Sequence, residues 1–337
     1  MQTKKSGMDS MPGNTGDWKE KASEHIIKKI HNHYFQEWNC FYHGGEGSVK
    51  CYTLWPGLYL FENDFYMNEF PSEITSDYHL MKINFCVKGR CEVKLQNNQY
   101  VYLEPNFLNI DSNQEGAMFH FPGGRYLGME LILNPEELCR DGSPVFREFG
   151  VDFGKQYQEL QSIGGTRIGI PSRQCIARME HIRNMSEQEL PSLYELRLTV
   201  LEFLYHLFQS EYQILDTKVS YLTREQREIA LSIERELMDS EEPGKTIFGL
   251  AEKYGSSCSS LENYFRAVFG ESIYQYQKKQ KLRRAKRLLA DYPGRKIKEI
   301  AHDCGYQHPG KFSESFRRET GMSPGEYRRY RCREFGR

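Results

Sequence analysis

The sequence predicts an α+β chain of several domains: a β-rich N-terminal domain, a helical linker, and an all-α C-terminal domain with two helix-turn-helix units. Three observations carry this. Apolar residues switch from strand-like runs to helical spacing after Pro171, a segment near residue 250 recurs near residue 300, and charge divides unevenly between the two ends. Over 337 residues there are 45 Lys+Arg and 46 Asp+Glu. From Thr223 to Arg337 the counts are 24 and 17, a net +7, leaving 21 and 29, a net −8, for the rest. One end is therefore suited to a polyanion and the other is not. No run approaches the roughly 20 apolar residues of a membrane helix, and the polar start lacks the apolar core of a secretory signal. A cytoplasmic protein without a membrane partner is expected.

Residues 1–16, rich in Gly, Ser, Pro and Met, read as a disordered tail. Residues 17–48 are expected to be an N-terminal helical segment, because Trp18, Ala22, Ile26, Ile30 and Phe35 fall near the spacing of a short amphipathic helix. Residues 49–170 form the β-rich domain: short β-branched and aromatic runs such as VKCYTLW, LMKINFCV and YLGMELIL alternate with turn residues, as in a β-sandwich or small barrel. Cys91–Leu95 and Tyr100–Leu103 flank Asn97 and Asn98, which tolerate positive φ, so this stretch reads as a hairpin. Residues 171–219 are the helical linker. Its stripe of Leu193, Leu196, Val200, Phe203, Leu204, Leu207 and Phe208 is wide enough to pack on the β-domain on one side and to form a dimer seam on the other, so a homodimer is expected.

Residues 220–337 contain the repeat. Ile247, Leu250, Ala251 and Gly255 recur as Ile297, Ile300, Ala301 and Gly305 at an offset of 50. Leu261, Phe265, Gly270, Ser272 and Tyr276 then recur as Phe312, Phe316, Gly321, Ser323 and Tyr327 at an offset of 51. Each copy has an apolar helical face, a small Ala for close approach and a Gly where the chain turns, which reads as helix-turn-helix. Between the copies, Lys278 to Lys298 holds ten Lys/Arg and one acid on a helix that would join the two units. Thr223 and Gln226 form a capping box before the first copy.

The segment from about Thr223 to Arg331 resembles the DNA-binding domain of the AraC/XylS family of bacterial transcription regulators. The resemblance rests on Lys281-Leu282-x-x-Ala285-x-x-Leu288-Leu289, Ile297-x-x-Ile300-Ala301-x-x-x-Gly305-Tyr306, Phe312-x-x-x-Phe316 and Gly321-x-Ser323-Pro324-x-x-Tyr327-Arg328. It departs from the family at Lys281, usually Arg, at Pro309-Gly310, usually small and polar, and at Cys304, usually aliphatic. The resemblance implies double-stranded DNA and RNA polymerase as partners, an activator, and a cupin-like N-terminal sensor for a small-molecule effector of unknown identity.

Side chains opposite the expected core would read bases: Ser259, Glu262, Asn263 and Arg266 in the first copy, and Lys311, Glu314 and Ser315 in the second. Lys278, Lys279, Arg284, Lys296, Lys298, Arg317 and Arg318 would meet phosphates. For the effector, Trp55, Tyr102 and Tyr126 supply rings and Arg90 an anion partner. No cofactor, metal or catalytic residue is expected: His79 and His120 stand isolated, and His31 and His33, two apart on a helix, would not share a face. Nine cysteines without a CxxC pair are expected to be reduced and apolar, with Cys258 at the mouth of the first recognition helix. Two rivals stand beside the ligand-responsive activator: a constitutive DNA-binding regulator whose β-domain only oligomerises, and a DNA-bound cupin enzyme.

Overall fold

The computed structural model describes residues 26–31, 35–71, 80–112, 118–140, 144–188, 191–209, 220–239 and 246–334. The expected tail, the start of the expected N-terminal helix, His33 and His79 lie outside these residues. The chain divides into two compact units, Met1–Tyr221 and Leu222–Arg337.

The first unit is built on twelve described strands: β1 (Ile26–His31), β2 (Gln36–Tyr42), β3 (Gly45–Trp55), β4 (Leu58–Tyr66), β5 (Glu69–Pro71), β6 (Met81–Gly89), β7 (Cys91–Lys94), β8 (Tyr100–Leu103), β9 (Leu108–Asp111), β10 (Met118–His120), β11 (Tyr126–Leu133) and β12 (Thr166–Gly169). Eight of them form one sheet in the order β1-β2-β3-β4-β11-β6-β9-β12, while β5–β10 and β7–β8 form two-stranded ribbons. The β7–β8 hairpin lies where the Asn-rich turn indicates, with Asn98 at φ 59°.

The N-terminal helix is not present where the chain is described. Residues 26–31 and 36–42 are β1 and β2, paired antiparallel, so His31 stands on a strand. The physical reason lies just downstream. His43 and Gly44, both at positive φ (47° and 79°), make the tight turn that folds β2 back on β3. In β2, Trp38 and Cys40 alternate into the core with strand period.

Alternation gives the sheet two apolar faces. Tyr52, Leu54, Leu58, Leu60, Ile83, Phe85, Met129 and Leu131 point to one. That face is covered by α1 (Pro135–Arg140), α2 (Val145–Glu148), α3 (Phe153–Ser162), α4 (Arg173–Ser186) and α5 (Leu193–Gln209) through Phe146, Phe153, Met179, Ile182, Val200 and Phe203. Each fully buried ring or branched aliphatic there contributes roughly 1.5–3 kcal/mol. Phe65, Cys86 and Tyr126 point to the opposite face, where Phe70, Val93, Val101 and Leu103 of the ribbons pack on them. The residues read as a linker are thus partly core: Leu196, Val200, Phe203, Leu204 and Leu207 of α5 are buried against the sheet side of this unit. Tyr194, Leu198 and Tyr205 remain exposed on α5.

The second unit is helical: α6 (Arg224–Asp239), α7 (Ile247–Lys253), α8 (Cys258–Phe269), α9 (Ile273–Asp291), α10 (Ile297–Asp303), α11 (Pro309–Thr320) and α12 (Pro324–Glu334). Helix α8 packs on α6, α7 and α9, and α11 packs on α10 and α12. Among the described residues no helix is long and apolar enough to cross a membrane.

Candidate nucleic-acid interface

The repeat read from the sequence becomes a repeated scaffold. Gly255 and Gly305 turn the chain at φ 58° and 74° after α7 and α10. Gly270 and Gly321, both at φ 76°, end α8 and α11, a conformation in which any Cβ would be strained. Leu261 and Phe265 in α8, and Phe312 and Phe316 in α11, are the buried counterparts. The third helix of each copy repeats as well: the Tyr276 ring meets Phe265 edge-on at 5.3 Å, and the Tyr327 ring meets Phe316 edge-on at 5.4 Å. Ser272 caps α9 in a reciprocal box with Gln275, and Ser323 pairs in the same way with Glu326.

The cores differ in polar ties. In the first copy the Tyr276 hydroxyl donates to Glu234 at 2.6 Å, and the Tyr254 hydroxyl donates to Glu236 at 2.5 Å. In the second, Ala285, Leu289, Ile300 and Cys304 form an apolar cluster with the two phenylalanines. Burial pushes the Cys304 thiol up to about 11. The departures from the family pattern are accommodated. Lys281 lies over the Tyr306 ring at 5.6 Å, and Pro309 occupies the first turn of α11, where its missing N–H costs nothing.

Outward from this scaffold, Ser259, Asn263 and Arg266 are exposed on α8, and Lys311 and Glu314 are exposed on α11. Two of the base-reading candidates are engaged elsewhere. Glu262 is half-buried and its carboxylate accepts the Ile273 backbone N–H at 3.3 Å, tying α8 to the start of α9. Ser315 is half-buried and accepts from the Tyr306 hydroxyl at 3.4 Å. Of the phosphate candidates, Lys278 is paired with Glu319 at 2.5 Å and Lys279 with Glu271 at 2.7 Å. The hydrogen bond from Lys278 holds the Glu319 carboxyl below the usual carboxylate range. The Lys278 tie joins α9 to α11, a structural role that spacing along the sequence gave no means of finding. Arg318 lies 3.8 Å from Glu319, Arg284 is half-buried, and Lys296, Lys298 and Arg317 are exposed.

In the first unit Trp55 lies on the other face of the sheet from Tyr126, so the four effector candidates do not all come together. Trp55 packs edge-on to Phe146 at 4.9 Å on the helix-covered face, with the Arg197 guanidinium 5.6 Å from its ring. Tyr126 lies on the opposite face, stacked on Phe121 at 4.8 Å, and its hydroxyl donates to Asn84 at 2.7 Å. Tyr102 is buried and donates to Glu92. Arg90 is buried and paired with Glu104 at 3.2 Å, so its charge is already answered. Strand alternation separates Trp55 from Tyr126, whereas Arg90 and Tyr102 are near enough to act on one another electrostatically. Cys86 and Cys91 are buried free thiols, and burial pushes Cys86 up to about 12.

A family model described as a helix-turn-helix domain matches residues 250–330. An HTH-type transcriptional regulator of Escherichia coli K12, YijO, is 30% identical over 52% of this chain and 59% of its own length. The HTH-type transcriptional activator RhaR of Klebsiella pneumoniae is 26% identical over 52% of this chain and 60% of its own length. The chain thus spans about six-tenths of the length of these curated relatives. Among solved structures, the DNA-binding domain of AdpA in complex with a target DNA aligns at 23% identity and TM-score 0.31, covering 32% of this chain and 96% of that one. ToxT from Vibrio cholerae aligns at 12% identity and TM-score 0.28, covering 81% and 98%. The match runs through both copies of the repeated scaffold, so residues 250–330 are a helix-turn-helix domain similar to that of the HTH-type transcription regulators YijO and RhaR.

Proposed function

We propose that this protein is a sequence-specific DNA-binding transcription activator that reads two successive major grooves with α8 and α11. The observation that carries the reading is the pairing of one scaffold with two different exposed faces: Ser259, Asn263 and Arg266 on α8, and Lys311 and Glu314 on α11. Each copy is a helix-turn-helix unit, and α9 spaces the two so that their helices enter grooves roughly 34 Å apart on one side of the duplex. Asn263 suits adenine, Lys311 suits guanine, and Glu314 accepts from cytosine. Lys296, Lys298 and Arg317, exposed beside them, add affinity independent of sequence.

The same reading makes the first unit a cupin-like sensor responding to a small molecule. The exposed Tyr194, Leu198 and Tyr205 of α5 serve as a homodimer seam, and RNA polymerase is the partner for activation. A relative named an activator supports that sign of regulation. Selection from randomised duplex DNA tests the core of it. A two-part motif of about 20 base pairs per monomer is expected. Enrichment of a single short element, or none, contradicts two-groove reading.

A further inference from the structure

The repeat allows the two copies to be compared for charge at matching positions. At the head of the first helix of each pair, Thr246 and Phe248 stand where the second copy has Lys296 and Lys298, at the offset of 50. On the second helix, Ser260 and Ala267 stand where the second copy has Lys311 and Arg318, at the offset of 51. Arg266 and Arg317 match, so that cation is common to both. All four cations particular to the second copy are exposed. Their counterparts are engaged otherwise or apolar. The Thr246 hydroxyl caps α7 by accepting the Gly249 N–H at 3.2 Å, the Ser260 hydroxyl lies 2.9 Å from that of Ser257, and Phe248 is a ring 76% exposed.

The surroundings widen the difference. Residues 223–271, which hold α6 to α8, have 6 Lys+Arg and 10 Asp+Glu, a net −4, whereas residues 272–337 have 18 and 7, a net +11. Ion pairing does not level this. In the first stretch Lys253 is paired with Glu236, and the exposed Arg224 and Arg235 are matched in number by the exposed Glu225 and Glu252. In the second, Asp303 is taken by Arg295 at 2.7 Å and Glu319 by Lys278 at 2.5 Å. Lys296, Lys298 and Lys311 have no ion-pair partner among the described residues. Helix α9 adds Arg283 and Arg287, both exposed. Exposed, unpaired cations are what hold a polyanion, because each one that meets a phosphate releases a condensed counterion. Exposed carboxylates beside the same strand oppose it.

We infer that the second copy is the anchoring half of the DNA interface, with Lys296, Lys298 and Arg318 meeting phosphates for which the first copy has no matching cation. The first copy is then held on its part of the site by base contacts and by its tether to α9, and the salt dependence of binding belongs to the second. This deepens the two-groove reading and rests on it for the placement of both copies on one duplex.

The test is the affinity of the full chain for a duplex carrying the selected site, measured between about 50 and 200 mM salt. Two double variants are compared with the wild type: Lys296→Gln with Lys298→Gln, and Lys253→Gln with Arg266→Gln. The second-copy pair is expected to reduce the slope of log affinity against log salt by about 2, and the first-copy pair by at most about 1. Circular dichroism checks that both variants fold; should the first-copy pair not, Arg266→Gln alone takes its place against Lys298→Gln alone, and the larger fall is expected for Lys298→Gln. Equal falls, or a larger fall for the first copy, would overturn the assignment and leave the two-groove reading standing. A wild-type chain whose binding does not depend on salt would overturn both.

Discussion

The two copies of the C-terminal repeat share their interior and differ on their surface. Gly255 and Gly305, Gly270 and Gly321, Phe265 and Phe316, and Tyr276 and Tyr327 occupy matching places with nearly matching angles and ring distances. Outside, the first copy presents Ser259, Asn263 and Arg266, and the second Lys311 and Glu314. Even the same residue type is used differently. Glu262 holds the α9 backbone at Ile273, whereas Glu314 is exposed. The lesson is that the repeat keeps what positions a helix and leaves free what that helix presents.

The largest test of that statement is to remove matching core rings. Phe265→Ala and Phe316→Ala, both at fully buried positions, are each expected to cost about 3–5 kcal/mol by chemical denaturation. A large difference between them would mean that the two interiors are not equivalent. Next come the surfaces. Asn263→Ala and Lys311→Ala are expected to cost about 1–3 kcal/mol of DNA affinity each, with little effect on folding, and to relax different base positions. Equal relaxation of one shared position would break the two-reader account.

The glutamates sharpen the contrast. Glu262→Ala is expected to lose about 0.5–1.5 kcal/mol of stability, because the Ile273 N–H loses its acceptor. Glu314→Ala should leave stability within about 0.5 kcal/mol and act on base preference alone. Thermal melts and binding titrations of both variants check this. The helix starts differ as well: Ser257 accepts the Ser260 N–H at the head of α8, whereas His308 makes no side-chain cap before Pro309. Ser257→Ala is expected to cost about 1 kcal/mol, and His308→Ala almost nothing.

Much of this was legible in advance because spacing reports interiors. The apolar offsets of 50 and 51 located both helix pairs, and the Asn-rich turn located the β7–β8 hairpin. What failed had a physical cause. Ile26 and Ile30 satisfy a helical spacing, but pairing with β2 and the left-handed turn at His43-Gly44 make the stretch a strand, and the HGG triplet is the sequence signal of that turn. Trp55 and Tyr126 could not be assigned to opposite faces without the sheet register. Nor could composition tell that Lys278 and Glu262, both on helices expected to meet DNA, hold other parts of their own unit in place.

The first unit adds a contrast with pH. Burial raises the Glu62 and Glu130 carboxyls, whereas the Lys278 hydrogen bond lowers Glu319 in the second unit. A raised carboxyl binds its proton more tightly in the folded state, so its contribution is present at low pH and is lost as pH rises through the folded value. A lowered one contributes above the unfolded value and loses this as pH falls. Glu130→Gln should therefore flatten the decline in stability on raising pH from the carboxylate range toward neutrality, and Glu319→Gln should not. Melting temperature against pH for the two variants distinguishes them.

The central claim is most directly tested by scanning single-base substitutions across a selected site with the wild-type chain, Asn263→Ala and Lys311→Ala, all at one salt concentration. The account predicts that each variant loses discrimination within one half of the site and keeps it in the other, the two halves about one helical turn apart. Loss of affinity that is uniform across all substitutions in both variants would contradict it, because these side chains would then be meeting phosphates and reading nothing.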